Sequence, residues 1–242
     1  KVWIDQCTYW HLTKMLAGGP PDPPVTLLRA LIGKKGGKPM GELRPVYEMG
    51  GSADLKPGKT TKAQPYAFVF KSAQGAELAR FPFNPRATDI ETRAPLEVMS
   101  FVARAPLVHG WAQLELQGPG GAVLDRKVRA EAPPEVVITA PQDGAMVAPG
   151  AGNKVKVTWT AKGGGAAPAP VLSSVLYSSD GGKIWADQAF EQPVSELEVA
   201  LSPKATEHLV KVAATDGTRS SEAIIRLRTA PPPAPSPAPV KK

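Results

Sequence analysis

Along residues 154–160 the chain alternates strictly, with Val155, Val157 and Trp159 on one side and Lys156, Thr158 and Thr160 on the other. A period of two is that of a strand with one buried face. The same period predicts strands over residues 66–70, over 111–116, where Ala112, Leu114 and Leu116 oppose Gln113 and Glu115, and over 222–227, where Ala223, Ile225 and Leu227 share a face. Further β-capable runs cover residues 25–32, 40–49, 76–81, 96–102, 123–128, 136–138, 172–178, 184–190, 197–201 and 208–215. Gln74-Gly75, Gly118-Pro119-Gly120-Gly121 and Asp216-Gly217 supply turn chemistry between them. Only the opening departs from this pattern. Asp5 or Thr8 can cap a short helix carrying Trp10 or His11, Leu12, Met15 and Leu16, which Gly18-Gly19-Pro20-Pro21 ends.

The expected fold class is therefore all-β, as two tandem antiparallel β-sandwiches. Glu131-Ala132-Pro133-Pro134 marks the boundary between them. Residues 1–23 read as an arm or the remnant of an upstream domain, 24–132 as the first sandwich and 133–229 as the second. The second holds about seven strands in about 95 residues, the size and spacing of an immunoglobulin-like or fibronectin type III-like sandwich. Residues 230–242, Pro-rich with nothing to bury, are expected to be a disordered tail.

Composition agrees with short strands and punctuated turns: 27 prolines and 23 glycines in 242 residues. The net charge of +7 comes almost wholly from the N-terminal half, where Lys34, Lys35 and Lys38 form the densest cluster. These three are the candidate polyanion contacts. Their Gly-rich setting lacks interleaved aromatics, which argues for a solvated loop and against a specific nucleic-acid site. No apolar run is long enough to span a bilayer, and the single cysteine, Cys7, permits no internal disulfide. The chain opens on Lys1 without a signal peptide and reads as a mature product or an excised piece of something longer.

Residues 177–185, Tyr-Ser-Ser-Asp-Gly-Gly-Lys-Ile-Trp, are strand, tight turn and strand. Ser178, Asp180, Gly182 and Trp185 resemble the Asp-box of sialidases and other secreted β proteins. Asp180 can accept hydrogen bonds from N–H groups ahead of it, Gly181 and Gly182 can take positive φ, and Trp185 can anchor the turn from the core beside Trp159. A propeller needs several such boxes, so one copy argues for a sandwich hairpin. No catalytic set is visible. His11, His109 and His208 are isolated and fall in no H-E-x-x-H pattern, no G-x-S-x-G is present, the Gly-rich stretches lack a phosphate-binding context, and Cys7 has no partner. The chain is expected to be no enzyme, with no cofactor and no metal.

Val2-Trp3-Ile4-Asp5-Gln6-Cys7-Thr8-Tyr9 resembles the W-I-S-x-Y-T-Y segment that follows the catalytic domain in a group of secreted bacterial zinc metallopeptidases. The strands at 101–103, 112–116, 155–160, 175–185 and 210–217 are similar to the β domains that follow it there. Two departures stand out: Asp5-Gln6-Cys7 replaces the usual Ser-x-Tyr, and Gly163-Gly164-Gly165 stands where relatives carry Asp-rich residues, so calcium is not implied. The resemblance implies a non-catalytic accessory, binding or spacer region of a secreted or cell-surface bacterial protein, its catalytic domain lying upstream. The rival readings are a carbohydrate-binding or carbohydrate-active module and polyanion binding by the basic first half. The expected partner is a protein or glycan surface, with no specific nucleic acid.

Overall fold

The computed structural model describes residues 24–50, 52–85, 98–148, 153–164 and 170–229. The expected helical arm and the Pro-rich tail lie outside these residues.

The first sandwich is organised on β1 (Pro24–Lys35). Gly36 and Gly37, at φ 57° and 78°, make the two-residue turn that leads into β2 (Lys38–Leu43). β3 (Tyr47–Gly50) pairs with the start of the same flank, and β6 (Val98–Pro106) covers the other. The expected single run over 40–49 is thus two strands, because Pro45 has no N–H to continue a ladder. β1 also extends past its expected end, so Lys34 and Lys35 close that strand and Lys38 opens the next. They belong to a hairpin, which corrects the expectation of a loop.

The facing sheet runs β5 (Glu77–Phe83), β4 (Tyr66–Lys71), β7 (Gln113–Gln117), β8 (Val123–Val128), with a 3-10 turn at Pro119–Gly121 before β8. Leu28, Ile32, Phe68, Phe70, Phe81, Leu114 and Leu116 fill the space between the sheets. Phe83 stacks on Phe68 and Phe101, at 4.7 and 4.1 Å between ring centroids. Gly41 is required here, since a Cβ would lie 2.5 Å from the Leu116 Cδ2.

In β7 the alternation holds for Leu114 and Leu116, but Glu115 is also fully buried, where solvent was expected. Lys71 and Arg126 reach it at 2.9 Å and Gln113 and Gln117 at 2.8 Å. Burial alone would raise the Glu115 pKa. The hydrogen bonds and charges of Lys71, Gln117 and Arg126 outweigh it and hold the carboxyl below its usual value.

The second sandwich pairs β9 (Glu135–Ala140), β11 (Lys154–Lys162) and β14 (Glu196–Ala200) in one sheet, ordered β14-β11-β9. The other sheet is ordered β10 (Met146–Val147), β16 (Ser220–Thr229), β15 (Glu207–Thr215), β12 (Leu172–Ser178), β13 (Ala186–Gln192). Valines 155, 157, 175, 199, 210 and 212 pack between them around Trp159, whose indole N–H donates to Ser173 Oγ at 3.0 Å.

The sheet β14-β11-β9 facing β13-β12-β15-β16 is the fibronectin type III-like arrangement of an all-β sandwich. One pairing breaks the expected antiparallel rule: β10 runs parallel to β16, Met146 opposite Arg228. The chain crosses between the sheets here and does not turn back within one. The order β5-β4-β7-β8 in the first sandwich repeats β13-β12-β15-β16 in the second. β1 takes the central place of β11, but β2 and β3, which follow it in sequence, hold the edge that β9 holds beside β11.

Candidate functional site

The turn at 178–185 is held by two side chains. Ser178 Oγ donates to Asp180 Oδ1 at 2.8 Å and accepts the Gly182 N–H at 2.9 Å. Asp180 Oδ1 also accepts the Lys183 and Ile184 N–H groups, both at 3.0 Å. Gly181 and Gly182 sit at φ 75° and 90°. The Ile184 N–H first, and then Ser178, hold the Asp180 carboxyl below its usual value. A depressed folded pKa contributes stability that is present above the unfolded pKa and lost as pH falls through the folded one. Asp180→Ala is expected to lower the melting midpoint by a few degrees at neutral pH and by less in acid, read by circular dichroism.

Trp185 is buried, yet it lies outside the core. Lys211, which alternates with the core residues Val210 and Val212, holds its Nζ 4.8 Å from the centre of the Trp185 ring. Trp185 therefore covers the outer face of the sheet, and Trp159 is on the other side of it. The expectation of a shared core fails because the turn residues between Ser178 and Ala186 reset the alternation, so parity cannot be carried across them.

On the same outer face, burial pushes Asp187 up to about 6. A carboxyl raised on folding favours the folded state below its unfolded pKa, and that advantage is lost as pH rises through about 6. Asp187→Asn is expected to flatten the fall in stability between pH ~4 and ~7, checked by urea titrations of both proteins across that window.

His208 is buried on β15, with Nδ1 2.8 Å from Tyr177 Oη, which in turn accepts the Ser202 N–H at 2.8 Å. Burial lowers its pKa. His109 is exposed, and His11 and Cys7 lie outside the described residues. Lys34 and Lys38 are exposed at one hairpin end, where Lys35 pairs with Lys38 and Lys34 with Pro39. Among the described residues no three of His, Cys, Asp and Glu are grouped to hold a metal.

A buried polar arrangement lies at the junction of the two sandwiches, where no sequence motif points. Leu28, Ala30 and Ile32 of β1 face the first core, while Val25, Leu27 and Arg29 on its other face are buried as well. Val25, Leu27, Tyr47 and Val102 pack with Phe190 of β13 as a small apolar cluster. Beside it Arg29 forms an ion pair with Glu191, their side chains only 6% and 5% exposed. Tyr47 Oη donates to the same carboxylate at 2.6 Å, and the Arg29 guanidinium lies 5.5 Å from the ring centres of both Tyr47 and Phe190. Burial, then the Glu191 charge, push the Tyr47 phenol well above its usual pKa, which keeps it a donor.

Glu191 takes φ 47°, a left-handed conformation unusual for a residue with a side chain, and its N–H donates to Ser174 Oγ at 3.0 Å. Of order 1–3 kcal/mol of strain is thus held where the carboxylate crosses to the first sandwich.

A second line of contact comes from the β15–β16 turn. Asp216 Oδ1 accepts from the Thr218 N–H, the Thr218 hydroxyl and the Arg219 N–H, which shapes the turn. The tip then meets the first sandwich directly: Val46 N–H donates to Gly217 O and Ala130 N–H to Thr218 Oγ1, each at 3.1 Å. The linker is pinned too, since a Cβ on Gly164 would lie 2.1 Å from Ala132 O.

No family model and no curated protein matches the chain. Among solved structures it is similar to the fibronectin(III)-like modules of Clostridium thermocellum CbhA, at 14% identity and TM-score 0.32 over 86% of each chain. It is similar to the chicken CNTN1 FN1–FN3 domains at 16% identity and TM-score 0.29, over 88% of this chain and 68% of that one. A third match, to an engineered protein at 20% identity and TM-score 0.30, covers 42% of this chain and 21% of that one. The sandwich assignment rests on the strand order.

Proposed function

We propose that this chain is a non-catalytic accessory region that acts as a rigid spacer in a secreted or cell-surface protein. On this reading its two domains are residues 24–132 and 133–229, and the resemblance of residues 2–9 supports a position after a metallopeptidase domain. The observation that supports rigidity is the buried Arg29–Glu191–Tyr47 cluster, which ties a strand of one sandwich to a strand of the other. A flexible tether between modules would leave those groups to water, and burying a charged pair is unfavourable unless its geometry is held.

The test uses the full chain with Cys7→Ser and spin labels on Lys62→Cys and Lys204→Cys, both exposed positions in different sandwiches. A single narrow distance distribution is expected, and a broad one would contradict a rigid spacer. Zinc-dependent casein cleavage by the same preparation, abolished by a chelator, would contradict the non-catalytic half of the reading.

A further inference from the structure

The junction leaves open a cleft of about 240 Å³ between β3 of the first sandwich and the outer face of the second. Tyr47, Phe190, Ala213 and Ala214 make its lining mostly apolar, and among the described residues no lysine or arginine lines it. Two carboxylates share it, Glu48 from the first sandwich and Glu222 from the second, each 44% exposed. Each is already ion-paired, Glu48 with Arg129 through Oε1 and Glu222 with Lys211 through Oε2. Among the described residues, no hydrogen bond reaches Glu48 Oε2 or Glu222 Oε1.

We propose that this cleft receives a lysine side chain of a partner polypeptide, its methylene stem along Tyr47 and Phe190 and its ammonium group between Glu48 and Glu222. An apolar wall ending in carboxylate oxygens complements an ammonium on an alkyl stem, whose three donors need acceptors once it leaves water. Size narrows the choice. The cleft lies below the ~300–1,000 Å³ of pockets that enclose drug-sized ligands, so it suits one side chain and not a sugar chain. A polypeptide is favoured over a free amine because Phe190 lies on β13, the edge strand of its sheet, which an extended segment can approach alongside. The proposal rests on the fixed junction, since the cleft exists only while the two sandwiches hold their pose.

The experiment is a titration of the 15N-labelled full chain, followed by amide shifts at Ser174 and at residues 220–222. The probes are an extended pentapeptide with central lysine, the same peptide with norleucine in its place, and butylammonium. Saturable binding of the lysine peptide is expected, about tenfold or more tighter than the norleucine peptide, weakening as salt rises. A double variant, Glu48→Gln with Glu222→Gln, is expected to lose about the same factor while keeping the narrow label-to-label distance of the parent. No saturation, equal affinity for the norleucine peptide, or undiminished binding by the double variant overturns the site. Butylammonium binding as tightly as the peptide overturns the polypeptide partner. A narrow distance distribution without binding rejects this inference and leaves the spacer standing, whereas a broad one rejects both.

Discussion

Glu191→Ala is expected to cost about 3–5 kcal/mol of unfolding free energy and to loosen the second sandwich from the first. The size follows from what stays behind. Arg29 keeps its place among Val25, Leu27, Tyr47 and Phe190, its one other hydrogen bond among the described residues is to Pro45 O at 3.4 Å, and Tyr47 Oη loses its acceptor. A buried cation with no counter-charge is the unfavourable product, not the lost attraction alone. Backbone strain gives no relief, because alanine at φ 47° is no better placed than glutamate.

The companion change removes both charges. Arg29→Met with Glu191→Met is expected to restore most of the stability, as buried ion pairs often exchange for apolar pairs at little cost. Calorimetry reads both effects: one cooperative transition for the parent, and a lower, split transition for Glu191→Ala. Equal losses in the single and double variants would place the energy elsewhere.

Trp159→Ala is expected to cost about 3–5 kcal/mol, and Trp185→Ala distinctly less. Trp159 lies between the sheets in a buried cluster rich in valine, so its removal leaves a cavity, and Ser173 Oγ loses the indole donor. Trp185 caps the outer face, where its loss lets water reach Lys211, a side chain able to extend into it. Urea midpoints of the two variants decide the matter. Equal losses would return Trp185 to the core, where the sequence pattern alone had put it.

That difference shows how far the sequence could be read. Alternation in 154–160 and 222–227 was enough to fix which faces of β11 and β16 look inward, since Val157 and Leu227 must leave water while Lys156 and Arg228 need not. The residues of the Asp180 turn were legible as well, because the side chains that bond the backbone lie within four residues of it. Trp185 was not, as period-two logic fails across an irregular turn. Glu115 looked exposed because two of the side chains that gather around it, Lys71 and Arg126, come from neighbouring strands.

The junction was the least legible feature, for a related reason. Arg29 and Glu191 are far apart in sequence, and neither lies in a motif. One signal was present in the near-continuous apolar run from Val25 to Ile32, which suits a strand covered on both faces better than one facing water. Arg29 interrupts that run, and it reads as an exposed position until Glu191 is known to meet it. The strained backbone of Glu191 has no sequence signature at all.

The central claim is that the two sandwiches move as one body. Amide 15N relaxation across residues 24–229 of the full chain tests it most directly. The account predicts that amides in both sandwiches fit one rotational diffusion tensor, and that Glu191→Ala separates them into two. Independent tumbling of the two halves in the parent protein would contradict it.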